Sequence, residues 1–85
     1  MNNTVYLNGD YLAAEKAQVS IFDRGFIFGD GVYEVIPVVN GVLIDRDYFL
    51  ERLAHSTEKI ALKWPCQPDE LLEILAELVR CNNLV

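Results

Sequence analysis

Only a few side chains in this sequence could carry out covalent, acid–base or metal chemistry. One histidine and two cysteines are too few for a Ser-His-Asp set, a His/Cys metal site or a disulfide framework. A lysine that forms a Schiff base is normally desolvated, whereas all three lysines here stand in charged stretches. We therefore predict that Cys66 and Cys81 are reduced and that they form no metal site with His55. Lys16, Lys59 and Lys63 are predicted to be surface lysines.

Tyr33 and Arg52 are better suited to binding anions. Tyr33 stands in an apolar segment, where it is either a core residue with a tethered hydroxyl or a donor to a carboxylate in a cleft. Arg52 falls on the polar face of a predicted helix. It is either solvated or paired with Glu51 or Asp47, or it holds a phosphate through two parallel hydrogen bonds. His55 lies on the same side and is either a surface residue or part of such an anion pocket.

The glycine-rich stretch Gly29-Asp30-Gly31 is a weak candidate for a phosphate loop. It has neither the GxGxxG nor the GK[ST] pattern, and it precedes a predicted strand rather than a helix. Its glycines are better explained by a positive φ or by close packing. Taken one residue at a time, the sequence therefore shows no complete catalytic set.

The composition allows one small ordered domain. The chain has 85 residues, of which 52% are hydrophobic and 24% charged, so a disordered chain is excluded. A net charge of −6 argues against nucleic acid and against anionic membranes as partners. No apolar run is long enough to span a bilayer, and Met1-Asn2-Asn3-Thr4 does not resemble a signal peptide. We therefore expect a cytoplasmic protein.

The first half of the chain has the pattern of β-hairpins. Asn8-Gly9 and Asn40-Gly41 are tight-turn signals flanked by strand-forming residues, since both turn residues need positive φ. The second strand is expected to run on toward Ala17. The strongest strand is expected over residues 32–39, where apolar residues at both parities predict burial on both faces, and Pro37 implies a sheet edge or a bulge.

The second half has the pattern of two helices. Asp47 is expected to cap a helix over residues 48–62, with Phe49, Leu53, Ile60 and Ala61 on its apolar stripe and Trp64-Pro65 ending it. Pro68 opens another helix, whose apolar set is Leu71, Ile74, Leu75 and Leu78. Strands followed by helices predict an α+β fold with a mainly antiparallel sheet of hairpins and two helices.

Residues 23–35 have the sequence DRGFIFGDGVYEV. The whole segment is a more specific signal than any shorter part of it. The string resembles the N-terminal motif of the fold-type IV, class IV pyridoxal-phosphate aminotransferases, and most of all the D-amino-acid aminotransferases. Branched-chain aminotransferases and aminodeoxychorismate lyases are relatives of these enzymes. The order of hairpins and helices agrees, so the resemblance covers essentially residues 1–85 as an N-terminal small domain.

The resemblance implies roles for two residues. Tyr33 matches the family tyrosine whose hydroxyl helps to hold the substrate carboxylate, and Arg52 matches the arginine that binds the phosphate of pyridoxal 5'-phosphate. Arg24 and Glu34 match the motif as structural or supporting residues, and Val35 as a residue beside the cofactor. The implied reaction moves an amino group between an amino acid and a 2-oxo acid, in an enzyme that is usually a homodimer.

The resemblance also implies what residues 1–85 do not contain. The family's catalytic lysine, which bonds covalently to the cofactor, lies in a second, larger domain beyond the position that matches Val85. We therefore expect no catalytic residue here, and a truncated or naturally shortened product. By itself this chain is expected to be inactive and to bind the cofactor phosphate at best weakly through Arg52. The alternatives are a lyase or branched-chain enzyme of the family, or a non-catalytic domain that self-associates through apolar surface, with Leu71, Leu75 and Leu78 as candidates if their helix faces outward.

Overall fold

The computed structural model describes residues 3–85; Met1 and Asn2, which begin the stretch compared above with a signal peptide, lie outside the described residues. Two small antiparallel sheets of two strands each are followed by two long helices, which confirms the α+β expectation. The elements are β1 (Thr4–Leu7), β2 (Asp10–Ala13), a 3-10 turn (Ala14–Lys16), α1 (Arg24–Ile27), β3 (Val38–Val39), β4 (Val42–Leu43), α2 (Arg46–Lys59) and α3 (Pro68–Cys81).

The first hairpin forms as the sequence predicts. Asn8 and Gly9 both have positive φ, 49° and 95°, which is what a two-residue turn between right-twisted strands requires. Opposite residues Tyr6 and Tyr11 pack edge to face with ring centroids 5.0 Å apart. The extension of β2 toward Ala17 is wrong. The ladder ends at the Thr4–Ala13 pair, and the chain then forms the 3-10 turn instead.

The turn of the second hairpin forms as predicted, but its strands are shorter than expected. Asn40 and Gly41 have φ of 54° and 76°, but only Val38–Val39 pairs with Val42–Leu43. The expected strand over residues 32–37 joins no ladder, and burial on both faces is wrong: exposure alternates residue by residue from 31 to 39. Pro37 has no N–H to donate, and its carbonyl accepts from Ile44 N at 3.0 Å at the edge of the sheet.

Helix α2 begins and ends earlier than the sequence pattern predicts. Its first backbone bond runs from Phe49 N to the carbonyl of Asp45, which has a left-handed conformation, so Asp47 lies inside the helix rather than capping it. At the other end, Ala61 has φ 54° and Leu62 N bonds to Thr57 O at 2.9 Å, which is a Schellman closure. Ile60 and Ala61 therefore follow the helix and are exposed, contrary to their expected place on its apolar stripe.

Helix α3 has the predicted start and packs against β1. Pro68 is its first residue, and Gln67 and Glu70 form a reciprocal capping box ahead of it. Its end is also a Schellman closure, with Asn83 at φ 52° and Leu84 N bonded to Val79 O at 3.1 Å. The capping box and the Schellman closure set the two ends of α3, and the contact with β1 sets its position in the fold.

The core of the described residues is small. Phe49 and Val79 are the buried apolar side chains and Thr57 the buried polar one. Thr57 Oγ1 donates to the carbonyl of Leu53 at 2.8 Å and accepts from Trp64 Nε1 at 2.9 Å, so the loop after α2 is tied back to the helix. Such a core predicts low stability, since few apolar groups leave water.

Exposed apolar surface lies in a different place from the one expected. Leu71, Leu75 and Leu78 are half-buried, so their helix does not turn its apolar set outward. Five of the large exposed apolar side chains lie in or next to α1, where exposure runs from 50% to 77%: Ile21, Phe22, Phe26, Ile27 and Phe28. Within residues 3–85 no helix has the length and apolar character to cross a membrane. The cytoplasmic location stays a prediction.

Candidate functional site

Arg52 is held on one edge of its guanidinium group by two consecutive residues from another part of the chain. Its Nε donates to Glu34 Oε1 at 3.0 Å, and its Nη2 donates to the carbonyl of Val35 at 2.8 Å. Neither Glu51 nor Asp47 is its partner, so the expected pairing with a neighbour in the helix is wrong. The pairing joins α2 to the segment that leads into β3.

Glu34 reaches Arg52 because exposure alternates along this segment. Successive side chains of an extended chain point to opposite faces, and here Val32, Glu34 and Ile36 are half-buried while Tyr33 and Val35 are exposed. Glu34 is thus a carboxylate in an otherwise apolar row, with 18% of its side chain exposed. A charge in such a place needs a partner, which Arg52 provides.

Two further residues of α2 surround the ion pair. The Tyr48 ring, four residues before Arg52, has its centroid 4.9 Å from Arg52 Cζ, a cation–π contact across one helical turn. Ser56, four residues after Arg52, places its Oγ 3.5 Å from Glu34 Oε2, a long hydrogen bond. The orientation of the Arg52 guanidinium is therefore set by its hydrogen bonds to Glu34 and Val35 along one edge and by its contact with the Tyr48 ring.

The adjoining Nη1–Nη2 edge of the guanidinium, which shares Nη2 with the first edge, still has N–H groups to offer an anion. Of its five N–H groups, two point at Glu34 and Val35, and Nη1 bonds to no residue in the range 3–85. The Arg52 side chain is 36% exposed. A fixed fork of two parallel donors matches two oxygens of a phosphate, and the donor set thus fits the phosphate of a cofactor.

Tyr33 lies outside this cluster and projects into solvent. Its side chain is 88% exposed, and its hydroxyl makes no hydrogen bond to the residues that the structure describes. The reading of Tyr33 as a core residue with a tethered hydroxyl is therefore wrong. The structure brings Glu34, Val35 and Arg52 together, and it leaves Tyr33 on the other face of the same segment.

The loop at residues 23–31 is shaped by its own side chains. Asp23 accepts from Gly25 N at 2.8 Å at the start of α1, and Arg24 Nε donates to Asp30 Oδ2 at 2.6 Å across the loop. Gly29 has φ 67°, which confirms the expected need for positive φ there, whereas Gly31 has neither positive φ nor a close neighbour. Arg24 thus has a structural role in this loop.

The three lysines lie at the surface, as the sequence predicts. His55 and the three lysines are exposed, and both cysteines are free thiols. No group of acidic, histidine or cysteine side chains within residues 3–85 is arranged to hold a metal ion. Sequence reasoning missed the partners of Arg52. The available signal was Glu34 itself, a carboxylate interrupting an apolar run that no local cation could neutralise.

Comparison with known proteins gives a consistent family. Residues 31–85 match the family model described as amino-transferase class IV. A D-alanine aminotransferase of Staphylococcus epidermidis is 40% identical over 81 residues, covering 95% of this chain and 29% of that protein. One of Staphylococcus aureus is 39% identical over 94% of this chain and 28% of its own length.

A relative from an archaeon has a different name. A putative branched-chain-amino-acid aminotransferase of Methanocaldococcus jannaschii is 35% identical over 94% of this chain and 28% of its own length. The chain thus spans less than a third of the length of the curated relatives it matches. The family model covers more than half of the chain, and we conclude that the chain belongs to the class IV aminotransferases.

Proposed function

We propose that this chain is the part of a pyridoxal-phosphate-dependent aminotransferase that holds the cofactor phosphate and orients the substrate carboxylate. Arg52 is the proposed phosphate ligand, and the observation that carries the proposal is its guanidinium, held on one edge and open on the other. Pyridoxal 5'-phosphate, when bound, supplies the electron-withdrawing group that amino-group transfer needs. The residues described here contribute binding and orientation.

Tyr33 is the proposed ligand of the substrate carboxylate. A phenol donates a hydrogen bond to an anion without acting as a competing base at neutral pH. Its hydroxyl is open to solvent and has no partner among residues 3–85, so it is available to a substrate. Because Tyr33 and Arg52 would bind two different anions, they need not touch each other.

The 85 residues by themselves are expected to be inactive. Lys16, Lys59 and Lys63 are all exposed, whereas a lysine that bonds to a carbonyl group is usually desolvated or placed beside other cations. Added cofactor should therefore give no reducible bond to one particular lysine. Site-specific labelling of one of these lysines after borohydride, together with amino-group transfer, would contradict the expectation.

A chimera tests the proposed activity directly. This chain would replace the stretch that it matches in the Staphylococcus epidermidis D-alanine aminotransferase, and the chimera would be assayed with D-alanine and 2-oxoglutarate. We expect amino-group transfer that is lost in the Arg52→Ala chimera and retained in the Lys16→Ala control. A folded chimera that is equally active with and without Arg52 would overturn the proposed phosphate role.

The same chimera separates the related reactions. The staphylococcal relatives are named for D-alanine and the archaeal one for branched-chain amino acids, so D-alanine and L-leucine are the two substrates to compare. Aminodeoxychorismate tests the lyase alternative. Because more than two thirds of this chimera comes from the D-alanine enzyme, a matched chimera in the Methanocaldococcus jannaschii relative is assayed beside it. We expect this chain to support the higher activity in the staphylococcal host, because the staphylococcal relatives are the more similar ones.

Self-association is a second candidate function, favoured by the exposed apolar cluster at residues 21–28. Contiguous apolar surface of this kind commonly marks a protein–protein interface. We expect the chain to form dimers with a second copy, and Phe22→Ser to weaken them relative to the exposed control Gln18→Ser. Light scattering over a range of concentrations is the measurement, and a strictly monomeric chain would exclude this candidate.

A further inference from the structure

Glu34 could either weaken or strengthen the binding of an anion to Arg52. A carboxylate paired with Arg52 cancels the positive charge that would attract a phosphate, which by Coulomb's law alone should weaken anion binding. The same carboxylate holds Nε at 3.0 Å while the Val35 carbonyl holds Nη2 at 2.8 Å. Whether Glu34 opposes or assists the anion depends on which effect is larger.

The geometry favours assistance. A free arginine side chain loses considerable rotamer freedom when it binds an anion, and that loss reduces affinity. Arg52 is already restrained by Glu34 and Val35 on one edge and by the Tyr48 ring at 4.9 Å. Much of the ordering has thus taken place before an anion arrives.

The two edges of the guanidinium also separate the competing charges. Glu34 and the Val35 carbonyl occupy the Nε–Nη2 edge, so the carboxylate lies on the far side of the planar group from the Nη1–Nη2 edge. A phosphate bound to the free edge would meet two donors and not the carboxylate itself. Only part of the charge cancellation would then be felt at the phosphate.

We propose that Glu34 is a positioning residue for anion binding: with the Val35 carbonyl it orients Arg52 so that the Nη1–Nη2 edge faces a phosphate monoester. This inference rests on the proposed role of Arg52 as the phosphate ligand. It adds a residue that touches no ligand and acts through Arg52. The inference predicts that removal of Glu34 weakens phosphate binding and does not strengthen it.

Titration of the 85-residue chain at constant ionic strength tests this direction. The probes are inorganic phosphate and pyridoxine 5'-phosphate, which has no aldehyde and so cannot react with lysines; pyridoxine is the control without phosphate. Binding is followed through the backbone amide NMR signals around residue 52, which remain observable when the Arg52 side chain is removed or when its Nε–H proton exchanges fast. We expect Glu34→Ala to weaken binding of both phosphates by up to about tenfold, the size expected when a rotamer-rich side chain must be ordered on binding instead of beforehand.

Glu34→Gln distinguishes positioning from charge. A glutamine keeps an oxygen that can accept from Nε and loses the negative charge, so positioning predicts affinity between that of the unsubstituted chain and that of Glu34→Ala. A purely electrostatic effect predicts tighter binding in both variants. Binding that is unchanged or tighter in Glu34→Ala, or tighter in Glu34→Gln, overturns the inference.

Two further readouts keep the result interpretable. Before any phosphate is added, exchange of the Arg52 Nε–H proton should be slow in the unsubstituted chain and in Glu34→Gln, and fast in Glu34→Ala; equal rates contradict positioning. If Glu34→Ala does not fold, Glu34→Gln carries the test, and tighter binding there still rejects the inference.

Arg52→Ala separates the inference from the function on which it rests. We expect this variant to show no saturable phosphate binding. If it binds phosphate as the unsubstituted chain does, or if the unsubstituted chain shows no saturation, the phosphate role of Arg52 fails and the inference fails with it. If Arg52→Ala abolishes binding and Glu34→Ala leaves it unchanged, only the inference about Glu34 fails.

Discussion

The side chain of Asn82 pairs with both backbone groups of Thr4, 78 positions away in the chain. Its Oδ1 accepts from Thr4 N at 2.8 Å, and its Nδ2 donates to Thr4 O at 2.9 Å. The same Nδ2 donates to the carbonyl of Leu78 at 2.9 Å, within α3. One amide thus joins the end of α3 to the start of β1.

We expect Asn82→Ala to destabilise the chain by about 1–3 kcal/mol, because two half-buried backbone groups of Thr4 lose their partner. That is a large share of the roughly 5 kcal/mol available to a small domain. Asn82→Asp should be at least as damaging, since a carboxylate repels the carbonyls of Thr4 and Leu78. Urea denaturation is the measurement, with Gln18→Ala as the surface control; a loss no larger than that of Gln18→Ala would contradict the assignment.

Ala61→Gly should stabilise the chain by about 0.5–1 kcal/mol. Ala61 has φ 54°, a left-handed conformation that costs an L-residue with a Cβ roughly 1–2 kcal/mol and that glycine adopts freely. The matched control is Ala54→Gly in the interior of α2, where the same change should cost about 1 kcal/mol. Opposite shifts of the melting temperature are expected, and shifts of the same sign would show that the position of the helix end is wrong.

The Glu77–Arg80 pair should make a pH-dependent contribution to stability. Arg80 Nε lies 3.0 and 2.9 Å from the two Glu77 oxygens, and this hydrogen bonding lowers the pKa of Glu77 below its ordinary value of 4.5. Because the folded pKa is the lower one, the contribution is present above the unfolded pKa and is lost as pH falls through the folded pKa.

NMR titration of the Glu77 carboxyl group measures this effect. Arg80→Gln should return the pKa of Glu77 toward its ordinary value, whereas Arg46→Gln, which removes an exposed charge from the start of α2, should leave it unchanged. An unaltered Glu77 pKa in Arg80→Gln would mean that the pair does not form in solution.

Tyr33→Phe in the active chimera should raise KM for D-alanine about tenfold or more with a smaller effect on kcat, the size expected for one hydrogen bond to a charged carboxylate. Tyr11→Phe is the matched control, since it removes a hydroxyl from the hairpin formed by β1 and β2. Steady-state kinetics at saturating 2-oxoglutarate measure both. Equal KM values for Tyr33→Phe and the unsubstituted chimera would remove Tyr33 from the substrate site.

Features that depend on local chemistry were predictable from the sequence. Asn8-Gly9 and Asn40-Gly41 form the turns expected of them, because few other residue pairs adopt two successive positive φ angles at low cost. Pro68 opens α3 because the first turn of a helix does not need its missing N–H. The motif at residues 23–35 was sufficient for the family, which the match over residues 31–85 confirms.

Features that depend on distant partners required the tertiary structure. Arg52 could have paired with its helix neighbours Glu51 or Asp47, and only folding brought Glu34 to it across 18 positions. The apolar run at residues 32–37 predicted a doubly buried strand, and only the fold left alternate residues exposed, with Tyr33 in solvent. The sequence by itself determined the turns, the start of α3 and the family, because each depends on residues that are adjacent in the chain. The tertiary structure decided which carboxylate holds Arg52 and which face Tyr33 occupies, because both depend on how α2 packs against a segment far away in the chain.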